Sequence, residues 1–90
     1  MIDDKYQEIT EFMDKCLYQE AAPSMEEAIQ QYLVNWPYVV GRLITEIEGI
    51  LNSGIGEYDL MGYIERHSDY VENNSAVDTF ELFKRVLLEG

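Results

Sequence analysis

The sequence predicts an all-α fold, a compact bundle of four to five helices that forms a single domain over residues 1–90. Apolar residues recur at spacings of three and four through most of the chain, as they do on the buried side of an amphipathic helix. No segment alternates apolar and polar residues for long enough to indicate a strand. Apolar residues make up 47% of the chain, too many for a disordered acidic tail and enough for one core.

The first predicted helix covers about residues 4–19, where an apolar stripe runs from Tyr6 to Leu17. It ends before Pro23, because proline cannot donate the next helical hydrogen bond. Ser24 and Glu27 then have the S-x-x-E pattern of a capping box, in which each side chain accepts a hydrogen bond from the other residue's backbone N–H. Whether residues 24–36 form a helix or only a turn decides between five helices and four.

The strongest helical pattern lies in the middle of the chain. Proline suits the first position of a helix, so Pro37 predicts a new start. The apolar spacing from Val40 to Leu51 predicts the central core helix. Gly54 follows and can adopt the left-handed conformation that closes a helix.

The last third of the chain is less regular. A fourth helix is predicted over about residues 56–66, followed by a polar loop over residues 67–76. Asp78 or Thr79 can cap a final helix. The side chains predicted to face inward from that helix are Leu82, Phe83, Val86 and Leu87.

The chain is strongly acidic, with 18 Asp and Glu against six Lys and Arg and a formal net charge of −12. Such a chain repels nucleic acid and anionic lipid and attracts a cationic partner. We therefore expect no direct binding to nucleic acid or to a membrane. Acidity also keeps proteins in solution, so charge alone does not identify the partner.

Acidic residues and tyrosines alternate around the predicted fourth helix and the loop that follows it. Tyrosine is an efficient interface residue, because it offers a large contact area with few rotatable bonds and a polar tip. We expect this cluster to bind the partner. Its predicted members are Glu57, Tyr58, Asp59, Tyr63, Asp69, Tyr70 and Glu72.

The sequence contains no catalytic, cofactor or metal motif. His67, the only histidine, falls in the predicted loop and is interpreted as a surface residue. Cys16, the only cysteine, lies in an apolar helical pattern and is predicted to be a buried, inert thiol. Residues 69–80 lack the glycine at position six and the glutamate at position twelve that a calcium loop requires. We therefore expect a protein that is not an enzyme and holds no cofactor or metal.

Targeting signals are also missing from the sequence. The start of the chain does not resemble a signal peptide, and no apolar run approaches the roughly 20 residues of a membrane span. Both observations favour a cytoplasmic protein.

The order of segments resembles the small helical immunity proteins of bacterial contact-dependent growth inhibition (CDI) systems. Those proteins commonly open with a helix ending in a motif like F-L-x-x-Y-F-H-Q-D-W, to which FMDKCLYQE at 12–20 is similar. SMEEAI at 24–29 and LITEIEGIL at 43–51 resemble the S-x-E-E-A-I and L-x-x-E-I-x-x-L-L patterns that follow. The likeness covers about residues 8–88. Acidic immunity proteins of nuclease bacteriocins are similar in composition and size.

The resemblance implies a function as well as a fold. Members of the CDI immunity family bind and neutralise the C-terminal toxin domain of their own system, and many such toxins are nucleases with basic clefts. It implies a monomer in a 1:1 complex, whose acidic face either covers the cleft or binds beside it. The alternatives are an acidic helical adaptor or nucleic-acid mimic without a toxin partner, and a small enzyme.

Overall fold

The computed structural model describes residues 2–17, 23–68 and 75–89, and these contain helices and no strand. The all-α prediction is therefore confirmed. Six α-helices lie in these ranges, one more than the largest number predicted, because the first predicted helix is divided into α1 and α2. The helices are α1 (Ile2–Lys5), α2 (Gln7–Cys16), α3 (Met25–Asn35), α4 (Val40–Leu51), α5 (Glu57–His67) and α6 (Ala76–Glu89).

Three predicted helix ends are confirmed. The Glu27 N–H donates to Oγ of Ser24 at 3.2 Å, so the serine half of the capping box starts α3. Pro37 begins a 3-10 turn, Pro37–Val39, that leads directly into α4. Gly54 has φ +79°, the left-handed conformation expected after α4.

The predicted first helix is interrupted at Tyr6, which separates α1 from α2. Its backbone has φ −122° and ψ 59°, outside the helical region, and its ring is buried. The ring packs against α4 at Gly49. Tertiary packing therefore breaks a helix that the apolar spacing alone predicts to be continuous.

The last helix begins earlier than predicted. It starts at Ala76 rather than after Asp78 or Thr79, because Oγ of Ser75 accepts a hydrogen bond from the Asp78 N–H at 3.0 Å. Phe83, Val86 and Leu87 are buried as predicted, whereas Leu82 is only partly buried.

The core is built from α2 to α6, and α6 contributes the most buried residues. Three residues of α4 are buried, Leu43, Ile47 and Ile50, but six of α6 are. More residues of α6 are buried because this helix packs against three others, α3, α4 and α5. The prediction of α4 as the central core helix is therefore corrected, because α6 takes that position. No helix in the described part of the chain has the length and apolarity needed to cross a membrane.

A carboxylate from α4 completes the start of α2. Tyr6, at the N-cap position, supplies no side-chain hydrogen bond there. Glu46 takes this role: its Oε1 accepts from the Ile9 N–H at 3.0 Å, and its Oε2 accepts from the Glu8 N–H at 3.4 Å. These N–H groups have no partner inside the helix, so the contact satisfies them and fixes α2 against α4.

The close approach of Tyr6 to α4 makes Gly49 a test of this packing. A Cβ at Gly49 would lie 3.3 Å from Cε1 of Tyr6, whereas a Cβ at Gly41 in the same helix would meet nothing within 4 Å. We expect Gly41→Ala to raise the free energy of unfolding by up to about 1 kcal/mol through helix propensity. Gly49→Ala should be less stable than Gly41→Ala by about 1–2 kcal/mol, because the buried ring must move.

Urea unfolding of the two variants, followed by circular dichroism, measures this difference. Equal stabilisation by both alanines would contradict the close contact between Tyr6 and Gly49.

Candidate functional site

The residues predicted to bind a partner do not form one surface. Tyr58 and Asp59 lie in the first turn of α5 and are exposed, Tyr58 with 91% of its surface accessible. Glu57 and Tyr63, on the same helix, make contacts inside the fold. The other three predicted residues lie outside the described ranges: Asp69, Tyr70 and Glu72.

Tyr63 belongs to the core, so its predicted role in partner binding is wrong. Its exposure is 0%, and its ring stacks on Phe80 with centroids 6.5 Å apart. Its hydroxyl lies 2.6 Å from Oγ1 of Thr10, which itself donates to the Tyr6 carbonyl. The Tyr63 hydroxyl is therefore the donor to Thr10, and burial raises its pKa to about 12.

Glu57 has a structural role that its sequence position did not reveal. Both of its carboxylate oxygens accept from the Ala76 N–H, at 2.9 and 2.8 Å. Ala76 is the first residue of α6, so Glu57 caps that helix from α5. Its carboxylate is already engaged, although the residue as a whole is exposed.

The exposed side of α5 carries the remaining predicted residues. A shallow depression there, which we call the α5 face, is lined by Tyr58, Asp59, Met61, Gly62, Glu65 and Arg66. Glu65 was not among the predicted residues, although it follows Tyr58 by seven positions and so lies on the same side of the helix. The face thus combines one tyrosine, a partly buried methionine, two exposed carboxylates and the exposed Arg66.

Most positive charges of the chain are already paired elsewhere. All six Lys and Arg lie in the described ranges, and five form ion pairs: Lys15–Glu11, Arg42–Glu8, Arg66–Asp3, Lys84–Glu48 and Arg85–Glu26. Asp59 and Glu65 form no ion pair with any described residue. The one cation on the α5 face, Arg66, pairs with Asp3 rather than with Asp59 or Glu65, so these two carboxylates have no ion-pair partner in the described ranges.

His67 ties three helices together, which corrects its interpretation as a surface residue in a loop. It is the last residue of α5, and only 16% of its side chain is exposed. Its Nε2 lies 2.5 Å from Oδ2 of Asp3 in α1, and its Nδ1 lies 2.7 Å from Oδ1 of Asp14 in α2. Arg66 also contacts Asp3, at 3.1 Å.

This geometry requires a protonated imidazole. Carboxylates only accept hydrogen bonds, and a neutral imidazole has one N–H to donate, so only the charged ring satisfies both Asp3 and Asp14. Burial on its own lowers the pKa of His67, but the hydrogen bonds to Asp14 and Asp3 outweigh it and raise the pKa above its ordinary value. In return, the hydrogen bond from His67 lowers the pKa of Asp3.

Two other kinds of chemical group bear on function: the thiol of Cys16 and the side chains that can hold a metal ion. Cys16 is buried, and burial raises its thiol pKa to about 12, which confirms the prediction of a buried, unreactive thiol. Within the described ranges, no three residues among His, Cys, Asp and Glu are placed to hold a metal ion.

Sequence reasoning missed one exposed aromatic pair, Trp36 and Tyr38, at the joint between α3 and α4. The signal was present in the chain. Two aromatic residues flank Pro37, and a proline joint between helices places its neighbours near the surface.

A change of pH should test the contacts of His67. Because its folded pKa is raised, its contribution to stability is complete below the ordinary value of about 6.5 and is lost as the pH rises through the folded pKa. The contribution of Asp3, whose pKa is lowered, is lost only in more acidic solution. We expect the stability difference between the native chain and His67→Gln to be larger at about pH 6 than at about pH 8.5.

Urea unfolding at both pH values measures this difference, and comparison with the variant cancels the general repulsion among the acids. Asp14→Asn serves as the control, because it should lower the pKa of the single histidine, read from its Cε1–H resonance. A stability difference that is constant with pH, with an unchanged histidine pKa in Asp14→Asn, would exclude the charged contact.

Comparisons with known protein families, curated proteins and solved structures give no match to this chain.

Proposed function

We propose that this chain is a small acidic binding module that neutralises a basic protein domain, and that the α5 face is its contact surface. One observation carries the proposal. Tyr58, with 91% of its surface exposed, stands beside two carboxylates, Asp59 and Glu65, that form no ion pair with any described residue. An exposed aromatic side chain bordered by charge is the arrangement typical of an interface anchor with a polar rim.

The two kinds of side chain on the α5 face would act on different rate constants. Unpaired carboxylates attract a basic partner over a distance of about one Debye length, roughly 8 Å at physiological salt, and raise the association rate. Tyr58 gains its contact only once water has been excluded, so it slows dissociation. A mutation of Asp59 and a mutation of Tyr58 should therefore have separable kinetic signatures.

The identity of the partner rests on the resemblance of the sequence to CDI immunity proteins. On that basis we infer that the partner is the toxin domain of the same CDI system, a basic nuclease. The protein would then act in the cytoplasm without catalysing a reaction, as a monomer in a 1:1 complex. The acidic face would either occupy the nuclease cleft in place of phosphates or bind beside it.

The test begins with co-purification of the tagged chain and the toxin domain encoded beside it, followed by binding kinetics between about 50 and 500 mM salt. We expect a stoichiometric complex, protection of toxin-expressing cells, and an association rate that falls as salt rises. Tyr58→Ala should weaken binding by about 2 kcal/mol, close to 30-fold in Kd, mainly through faster dissociation.

A matched pair of charge reversals locates the surface. Asp59→Lys should slow association at least tenfold. Glu89→Lys, which makes the same charge change where α6 borders α3, should have a much smaller effect. Equal effects of both reversals would point to an acidic adaptor without a localised surface. The absence of both complex and protection would overturn the toxin assignment.

A further inference from the structure

A second exposed apolar site lies at the joint between α3 and α4. Six large hydrophobic side chains are exposed in the described ranges, and three of them fall within five residues: Val34 at 80%, Trp36 at 42% and Tyr38 at 69%. The rings of Trp36 and Tyr38 meet edge to face, with centroids 6.1 Å apart. We call this pair the aromatic ridge. Clustered exposed apolar surface of this kind marks interaction sites.

The backbone holds the aromatic ridge in place. The Trp36 N–H donates to the Tyr32 carbonyl at 3.0 Å and so closes α3. Pro37 follows at once and begins the 3-10 turn, which ends in the buried residue Val39. Both rings therefore stand on a rigid joint between two helices. Binding of a partner to these rings therefore costs little free energy for ordering the backbone of this chain.

A cation already lies over one ring of the ridge. Nζ of Lys15 is 5.7 Å from the centroid of the Trp36 ring, within the range of a cation–π contact. Lys15 is weakly held there, because its ion pair with Glu11 spans 4.0 Å and 55% of its side chain is exposed. A competing cation could replace it at little cost.

Two carboxylates, each paired with a cation, lie near the ridge. Trp36 and Tyr32 line the same depression between α2 and α3. Glu11 pairs with Lys15 at 4.0 Å, and Glu8, which lines a depression beside Tyr38, pairs with Arg42 at 3.7 Å. A cation that takes the place of Lys15 would therefore gain Glu11 as well as the indole ring.

We infer that the aromatic ridge is a docking position for an arginine side chain of the basic partner protein, which takes the place of Lys15 over Trp36. Arginine suits this site better than lysine, because its guanidinium is planar, stacks on aromatic rings and is more weakly hydrated. The inference rests on the proposed function for the partner's basic character. It adds a contact that shares no residue with the α5 face.

The single tryptophan of the chain makes the ridge directly observable. Its fluorescence would be followed while the folded protein is titrated with a nona-arginine peptide, and separately with a nona-lysine peptide of equal charge. We expect the arginine peptide to bind about threefold more tightly or better. Trp36→Leu, followed by calorimetry, should remove this preference.

Two lysine variants separate the ridge from general charge attraction. Lys15→Gln and Lys84→Gln each remove the positive charge of an ion-paired lysine. Of the two, only Lys15 lies over the ring of Trp36. Lys15→Gln should tighten binding of the arginine peptide more than Lys84→Gln, and in a Trp36→Leu background the two should act alike. Equal effects in the native background, or no preference between the peptides, would overturn the inference.

The peptide titration is independent of the toxin test. Val77→Ala, a change at an exposed apolar residue of α6 that belongs to neither surface, should leave peptide binding at the ridge unchanged. A ridge that binds arginine while no toxin complex forms would count against the proposed function alone. A toxin complex that is weakened by Tyr58→Ala, with no arginine preference at Trp36, would count against the ridge alone.

Discussion

Two helices of this acidic chain begin on carboxylates that come from other helices. Glu46 of α4 accepts hydrogen bonds from the Glu8 and Ile9 N–H groups in the first turn of α2, and Glu57 of α5 accepts from the first N–H of α6. The N-terminus of a helix carries partial positive charge, so each contact stabilises a carboxylate and a helix end together. The relative positions of four helices depend on these two contacts, and part of the net charge of −12 is thereby used inside the fold.

The acids consequently divide into those that hold the fold and those that are free to bind. Asp3 and Asp14 join the first group through His67, which links α1 and α2 to α5. Asp59 and Glu65 belong to the second, since neither has an ion pair with a described residue. The helix α5 carries both groups. Its inner side holds Tyr63 in the core, and its outer side presents Tyr58 to solvent.

The helix positions and helix ends that could be predicted are those that depend only on residues close together in the sequence. The apolar spacing located α3, α4 and α5, and Ser24, Pro37 and Gly54 marked helix ends, because each acts through its own backbone. The break at Tyr6 depends on a contact with Gly49, 43 positions away in the chain by their residue numbers. The early start of α6 depends in part on Glu57. No local pattern contains such contacts.

The candidate site was also predicted only in part, because contacts between distant residues decide which of its side chains are free. Tyr63 lies beside Ile64 and three residues after Leu60, so it shares their buried side, and weighting that spacing would have placed it in the core. For Glu57 no such signal exists, because an engaged carboxylate and a free one are identical in sequence. Tyr58 and Asp59 were predicted to bind a partner because acids and tyrosines cluster around them. Their exposure follows from the orientation of α5.

The division of the acids is tested most directly by two double variants that remove the same charge. Glu46→Gln with Glu57→Gln should lower the free energy of unfolding by about 1–3 kcal/mol and leave the affinity of the folded protein for the proposed basic partner unchanged. Asp59→Asn with Glu65→Gln should weaken the affinity and leave the free energy of unfolding unchanged or higher. If the two double variants change both quantities alike, the carboxylates act only as a diffuse charge, and the account is contradicted.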